Sequence, residues 1–212
     1  MISIRPAISD DINDVIGVCD LAWDGIWHGS RHMFIDRILT FPECGIVVGE
    51  IDGHIEGYVS VQLTNESIPC GTWNEATDFG HIKHTHNPEG SWLHGVGLAL
   101  TPKGSKNGLT IELIRYLGEY VVKNNKLGAM FVTRMPGYYR YRETMTPGDY
   151  ALYRKNGKLI DPELRVLERC GFRPVHPPII MEGYVENGGD PRSCNYSVLV
   201  KRLSPIKGGP PL

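Results

Sequence analysis

The sequence predicts an α+β domain: one mixed, mostly antiparallel twisted sheet of about seven strands, with helices packed on it. Three observations carry that expectation. Asp52-Gly53 separates two apolar runs, Gly45–Ile51 and His54–Leu63, and an Asp-Gly pair so placed marks an antiparallel hairpin, because a type I′ turn needs positive φ at both central residues. The apolar run Trp92–Thr101 feeds a small-residue loop and an amphipathic helix. The next apolar run, Leu127–Thr133, is reached by that helical crossover and so runs parallel to its predecessor. Finally, 212 residues with 41% apolar content can bury one full core, and no composition break or internal repeat divides the chain.

The elements follow in order. Ile2–Pro6 alternates as a short strand, and Ser9 caps a helix whose first turn carries Asp10 and Asp11, favourable at the positive helix end. Its core stripe is Ile12, Val15, Ile16, Cys19 and Ala22 or Trp23. A second helix covers about Arg31–Leu39, and the hairpin follows. Thr64–Ser91 is a long polar insertion with little periodicity, a length characteristic of lids and binding loops. After Leu127–Thr133, the segment 138–158 reads as a second insertion, within which Thr146-Pro147 starts a helix. Asp161-Pro162 repeats that cap, and the helix Glu163–Cys170 stops at Gly171. Strands near Phe172–His176 and at Asn195–Leu203 complete a domain over 1–203, and 204–212 reads as a flexible tail.

Composition excludes several function classes. A net charge of -2 and a pI near 6.4 leave no basic footprint for nucleic acid. No apolar run approaches the roughly 20 residues of a membrane helix. The five cysteines (19, 44, 70, 170 and 194) are odd in number with no CxxC pair, which points to reduced thiols and a cytoplasmic protein. His81, His84 and His86 fall in the spacing H-x-x-H-x-H, which is not a strong metal signature. They read as part of a solvated loop, and no metal is expected.

The chain is organised around Trp92–Asn125. The strand Trp92–Thr101 carries small residues that let a ligand lie close, and the loop Pro102–Gly108 leads into a helix with Leu109, Leu113, Leu117 and Tyr120 on one face. Backbone N–H groups at such a helix start suit a phosphate or pyrophosphate. An ordinary strand-loop-helix turn that binds nothing has the same sequence, and this stretch alone does not separate the two.

The order of elements resembles the GCN5-related N-acetyltransferase (GNAT) superfamily. Leu100-Thr-Pro102 and Gly108-Leu-Thr110 align with that family's strand-proline and Gln/Arg-x-x-Gly-x-Gly/Ala segment, and Val166-Leu-Glu-Arg-Cys-Gly-Phe172 with its late helix ending in Gly-Phe. The runs Thr72-Trp-Asn-Glu75, Gly80-His-Ile82 and Arg134–Tyr141 look like the GNAT domains fused to carbon–nitrogen hydrolases and the GNAT-like loading domains of polyketide synthases. Two departures stand out. Only the central Gly108 of the phosphate motif is kept, and the late-helix tyrosine that protonates the departing thiolate in the family is Leu167.

The resemblance implies a GNAT fold with helices on both sheet faces and acetyl-CoA as co-substrate. Leu98, Ala99 and Leu100 would pair with the pantetheine arm, and Ser105, Lys106, Asn107, Gly108, Leu109 and Thr110 would receive the pyrophosphate. His94 stands where several members have a base, and an imidazole titrating near neutral pH could take an amine's proton. Tyr138, Tyr139 or Tyr141 would supply the acid missing at Leu167, and Thr133 fits a threonine role in the polyketide-loading relatives. In the lid-like insertion, Thr72, Trp73, Glu75 and Asp78 would touch the acceptor. The implied activity is direct acetyl transfer to a small-molecule amine in a ternary complex. The alternatives are acyl transfer or decarboxylation serving an acyl carrier thiol, and an acyl-CoA-binding module without turnover. Sheet-edge homodimers are common in the family.

Overall fold

The structure, a computed structural model, describes residues 1–23, 29–185 and 190–205. In chain order the elements are β1 (Ile2–Pro6), α1 (Ile12–Trp23), α2 (Arg31–Thr40), β2 (Val47–Ile51), β3 (His54–Thr64), α3 (Trp73–Thr77), β4 (Trp92–Leu100), α4 (Pro102–Lys106) and α5 (Leu109–Lys123). There follow β5 (Gly128–Arg134), α6 (Pro147–Leu152), β6 (Arg154–Lys155), β7 (Lys158–Leu159), α7 (Pro162–Arg169), β8 (Arg173–Pro174), β9 (Ile180–Glu182) and β10 (Tyr196–Leu203).

Eight strands form one sheet in the order β1-β2-β3-β4-β5-β10-β8, with β9 also paired to β10. Among the described residues its one parallel pair is β4 with β5, as the helical crossover requires. This agrees with the predicted count of about seven, the additional strand β9 being three residues long without alternation of its own. The strand expected over Phe172–His176 keeps only Arg173–Pro174 in the ladder. β6 and β7 form a separate small hairpin in the second insertion, turning at Asn156-Gly157, both with positive φ.

Alternation along the strands sorts the core into two layers. Val47, Val59, Leu93, Phe131 and Val198 face Leu109, Leu113 and Leu117 of α5 and Leu164 of α7. Val48, Tyr58 and Ala99 face Ile12, Val15, Val18 and Cys19 of α1 with Met33 and Phe34 of α2. Helices therefore cover both faces, as predicted. All five cysteines are free thiols.

Two predicted loops are more ordered than their sequence suggested. The insertion Thr64–Ser91 holds α3 and is tied down: Trp73 Nε1 donates to Val96 O at 2.8 Å, Gln62 Nε2 to Ala76 O at 2.6 Å, and Arg37 Nε to Gly80 O at 2.6 Å. In the tail, Ser204 is buried and donates its N–H to Leu127 O, so the flexible tail cannot begin there, and residues 206–212 lie outside the described residues.

Candidate active site

The sheet splits between its two central strands. β4 and β5 pair only at Trp92–Gly128, Leu93–Ala129 and His94–Met130. Beyond that, β4 stays on β3 as far as Leu100, and β5 stays on β10 through Arg134, so the two edges diverge. A bulge of β4 against Ser60 and Val61 leaves Val96 out of the register. At the crotch the Phe131 ring lies over Gly95, where a Cβ would come within 2.0 Å of it, whereas a Cβ on Gly97 would meet no atom within 4 Å. Leu98, Ala99 and Leu100 thus have one edge held by β3 and the other, along the groove between the diverging strands, left unpaired by β5.

The helix start beside this groove differs from expectation. Pro102–Gly108 is not an open loop of donors. Thr101 caps α4 through Gly104 N, with Pro102 in the first turn, the same threonine-proline signature that marks the start at Thr146. The amides of Ser105, Asn107 and Gly108 are accordingly given to the carbonyls of Thr101, Lys103 and Ser105. The cradle narrows to the head of α5, where Leu109 and Thr110 follow Gly108 at φ +74 and a helix has no internal acceptor for its first N–H groups. Lys106 is exposed beside it, while Lys103 pairs with Glu56 at 3.0 Å.

On the α5/α7 side, Thr133 Oγ1 lies 3.4 Å from Glu163 Oε2, in the first turn of α7. Burial pushes the Glu163 carboxyl up to about 7, against the pull of Arg134, and the neighbouring Asp161 and Asp190 add to the rise. Arg134 itself is taken by Asp190 in a two-bond pair at 2.6 and 2.7 Å. Asp161 caps α7 and accepts from Gly137 N at 3.0 Å and Tyr150 Oη at 3.1 Å, which fixes the chain after β5.

Sequence reasoning missed Glu163 because an acid after Asp-Pro reads as a helix-dipole residue. Its position one turn before Leu167 was the available signal. Leu167 is buried in the core and offers no proton. Tyr138 is buried too, its hydroxyl donating to Met145 O, and it packs with Tyr150 and Tyr196. Tyr141 leans on Tyr150 and lines a cavity of about 100 Å³ with Arg140 and Arg192. Tyr139 is 40% exposed, hydrogen-bonded to Arg140. These tyrosines pack against the second insertion, and the group that Thr133 meets is the Glu163 carboxyl.

On the α1/α2 side, His94 is 2% exposed. Gln62 Nε2 lies 3.1 Å from His94 Nδ1 while Thr85 Oγ1 donates to Gln62 Oε1, so the hydrogen-bond pattern assigns the ring proton to Nε2, which faces Tyr184 Oη at 3.4 Å. Burial pushes the imidazole down to about 4, which corrects the expectation of a base titrating near neutral pH. The insertion residues have structural roles. Thr72 and Glu75 form a reciprocal cap on α3, Asp78 ends α3 with positive φ and accepts from His84 N, and Trp73 bridges the two core layers.

The three insertion histidines do not form one solvated array. His86 accepts from Leu63 N and packs on Phe41, while His81 Nδ1 sits 2.7 Å from Asp36 Oδ2. His32, Asp36 and His81 bring ligand atoms within 4.8 Å of one another, a grouping that the linear spacing did not reveal. The Lys83 ammonium stands 3.5 Å from the same carboxylate. Among the described residues no helix is long and apolar enough to cross a membrane.

No family model matches the chain. Among curated proteins it is 32% identical over 175 residues to the uncharacterized N-acetyltransferase YkwB of Bacillus subtilis, covering 81% of this chain and 74% of the relative. It is 28% identical over 200 residues to the probable hydrolase YhcX of the same organism, covering 93% of this chain but only 38% of that longer protein. Among solved structures it superposes on the loading GNATL domain of CurA from Lyngbya majuscula with a TM-score of 0.83 at 20% identity, covering 97% and 99% of the two chains. The GphF GNAT-like decarboxylase in complex with isobutyryl-CoA follows at 0.76 and 22%, covering 95% and 98%. With a split sheet, a helix start beside the split and an N-acetyltransferase relative matched over most of both lengths, the chain belongs to the GCN5-related N-acetyltransferase superfamily, as an acyltransferase of the GNAT type.

Proposed function

We propose that the protein moves an acetyl group from acetyl-CoA to the amine of a small molecule by direct transfer in a ternary complex. The observation that carries this reading is the divergence of β4 and β5 beyond His94–Met130, which leaves an open backbone edge at Leu98–Leu100 leading to the head of α5. A pantetheine amide can pair with that edge as an added strand would, and the pyrophosphate suits the N–H groups of Leu109 and Thr110 with Lys106 adding charge. The residues fit the coenzyme in one further respect: the space beside Gly97 and Gly108 is clear of side chains. One of the structural relatives, the GNAT-like decarboxylase, is named in complex with isobutyryl-CoA, and acyl-CoA is the donor class we assign here.

In the transfer, the amine nitrogen attacks the thioester carbon, the carbon–sulfur bond breaks, and the thiolate needs a proton while the nitrogen loses one. Glu163, held by Thr133 and protonated up to about pH 7, supplies the proton to sulfur in place of the tyrosine absent at Leu167. The proton on nitrogen leaves through water. His94, neutral and hydrogen-bonded at both ring nitrogens, is a positioning residue that orders Gln62 and Tyr184 beneath β4. Thr72, Trp73, Glu75 and Asp78 shape the acceptor side through the packing of their segment.

The loading and decarboxylating reading keeps one supporting observation, Thr133 at the split. Among the described residues its hydroxyl meets the Glu163 carboxyl and not an imidazole. Mass spectrometry after incubation with acetyl-CoA or malonyl-CoA, an amine pool and an acyl carrier protein tests the assignment. Acetylated amines are expected. Carbon dioxide with acyl-carrier mass would replace the first reading by the second. Coenzyme uptake without product would make the domain a binding module, and no uptake at millimolar coenzyme would remove all three.

A further inference from the structure

Arg37 is the largest fully buried side chain of the described residues, at 0% exposure, and it lies on α2 beneath the insertion. Its Nε donates to Gly80 O at 2.6 Å, Nη2 has only the Met33 thioether at 3.3 Å, and Nη1 has no hydrogen-bond partner. No ion pair joins it to a carboxylate among the described residues, and its neighbours are the Phe34 ring, Tyr58 and Cys19. Burial lowers it only to about 10, so at neutral pH this is a buried cation without a counter-ion among the described residues. An unpaired internal charge is strongly unfavourable, and a fold keeps one where a ligand completes it.

Resting on the transferase reading above, we propose that the Nη1/Nη2 edge of Arg37, where Nη1 has no partner and Nη2 has only the Met33 thioether, receives a carboxylate carried by a substrate. Three features support that site. The guanidinium fork matches a carboxylate with two parallel bonds, and the edge available here is the end of the fork, opposite the Nε bond to Gly80. The cover is a strap in an unusual conformation: Asp78, Phe79, Gly80 and Ile82 all have positive φ, and Phe79 projects into solvent at 66% exposure. Two of those four, Phe79 and Ile82, carry side chains that left-handed backbone disfavours, a strain that displacement of the segment by a ligand would release. The site also communicates with the split sheet through one ring. A Cβ on Gly80 would touch both Arg37 Nη2 and the Trp73 ring, and the same indole donates to Val96 O at the β4 bulge. A ligand bound at both would hold its carboxylate on Arg37 and its reacting atom at the split.

Two donors of that carboxylate share this chemistry: an amino-acid-like acceptor, or the acyl group of a dicarboxylic acyl-CoA such as malonyl-CoA. The test compares wild type, Arg37→Met and Arg37→Lys in two arms. The first measures kcat/KM for short ω-amino acids against their primary amides with acetyl-CoA. The second measures calorimetric Kd for malonyl-CoA against acetyl-CoA. Wild type is expected to favour the carboxylate by on the order of 10- to 100-fold in one arm, and that arm names the source. Arg37→Met abolishes the preference, while Arg37→Lys, a point charge without the fork, keeps a fraction of it. Acetyl-CoA affinity stays unchanged in both variants, which separates this proposal from the transferase reading, since failure of the latter removes acetyl-CoA uptake in wild type. Thermal melting checks that Arg37→Met is folded, since the substitution removes a lone buried charge and also the Nε bond to Gly80 O. A folded Arg37→Met that keeps the preference overturns the proposal. Equal treatment of carboxylate and amide in both arms by wild type overturns it too, whether or not the variants fold.

Discussion

The two sides of the split sheet each hold a titratable group, buried at His94 and half-buried at Glu163, and desolvation moves them in opposite directions. Glu163, on the α7 side, is raised to about 7, and His94, on the α1/α2 side, is lowered to about 4. The cause is one: a dry environment disfavours whichever form is charged. The consequences differ. The carboxyl ends with its titration inside the working pH range, so it can hold and release a proton during turnover, while the imidazole ends outside it and stays neutral. An expectation from side-chain type alone favours histidine at neutral pH, and burial reverses that ranking.

Glu163→Gln is the strongest way to break this comparison. The acid form is the active one, so kcat/KM in wild type should fall as pH rises through about 7, when measured with an amine whose own pKa lies well below neutral. The variant should lose on the order of 10²- to 10³-fold in kcat and show no limb near 7. A variant with wild-type rate, or one that retains the limb, would return the acid to Tyr141 or to solvent.

His94 sharpens the same contrast through stability. A folded pKa of about 4 against an unfolded value of about 6.5 means the unfolded chain takes up the proton first. The histidine's contribution is thus fully present above pH 6.5 and is lost as pH falls from there toward 4, up to about 3 kcal/mol. Denaturant unfolding of wild type and His94→Gln over that window cancels the other titrating groups. The wild type should lose more stability on acidification by about that amount, and equal slopes would mean that the imidazole is hydrated. Turnover of the variant should keep the wild-type pH profile in shape.

The sequence made the scaffold legible and left the site partly hidden, for physical reasons. Asp52-Gly53, the stripe Leu109-Leu113-Leu117 and the caps at Thr146 and Asp161 are local signals, and the hairpin, α5, α6 and α7 follow them. The Thr101-Pro102 cap is just as local and stands in the same sequence, yet the glycines after it read as a loop, so α4 and the loss of three amide donors were missed. Glu163 and Thr133 stand 30 residues apart, and Gln62 and Tyr184 reach His94 from 32 and 90 residues away. No periodicity reports such pairings. Arg37 was readable in part: it falls four residues after Met33 on the apolar stripe of α2, where a charged residue is out of pattern.

Gly97→Leu tests whether the groove itself is what separates the two sides. The added side chain enters space that is clear within 4 Å of its Cβ, so folding should be retained while the groove fills. The Kd for acetyl-CoA should weaken by about 30-fold or more, as an occluded pantetheine path demands. Unchanged affinity would move the coenzyme off the β4 edge.

Lys106→Ala carries the smallest expected effect and isolates the phosphate end. The amides of Ser105, Asn107 and Gly108 are already given to backbone carbonyls, which leaves a shorter cradle at Leu109 and Thr110 and a larger share for charge. Lys106 is exposed, so its attraction for a diphosphate is screened and amounts to about 2- to 5-fold in Kd at low ionic strength, fading as salt approaches 0.15 M and above. Calorimetry at two salt concentrations reads the difference. A loss that persists undiminished in high salt would mean that Lys106 contacts the phosphate directly. No loss at either concentration would leave the α5 N–H groups and the helix dipole as the whole of the anion site.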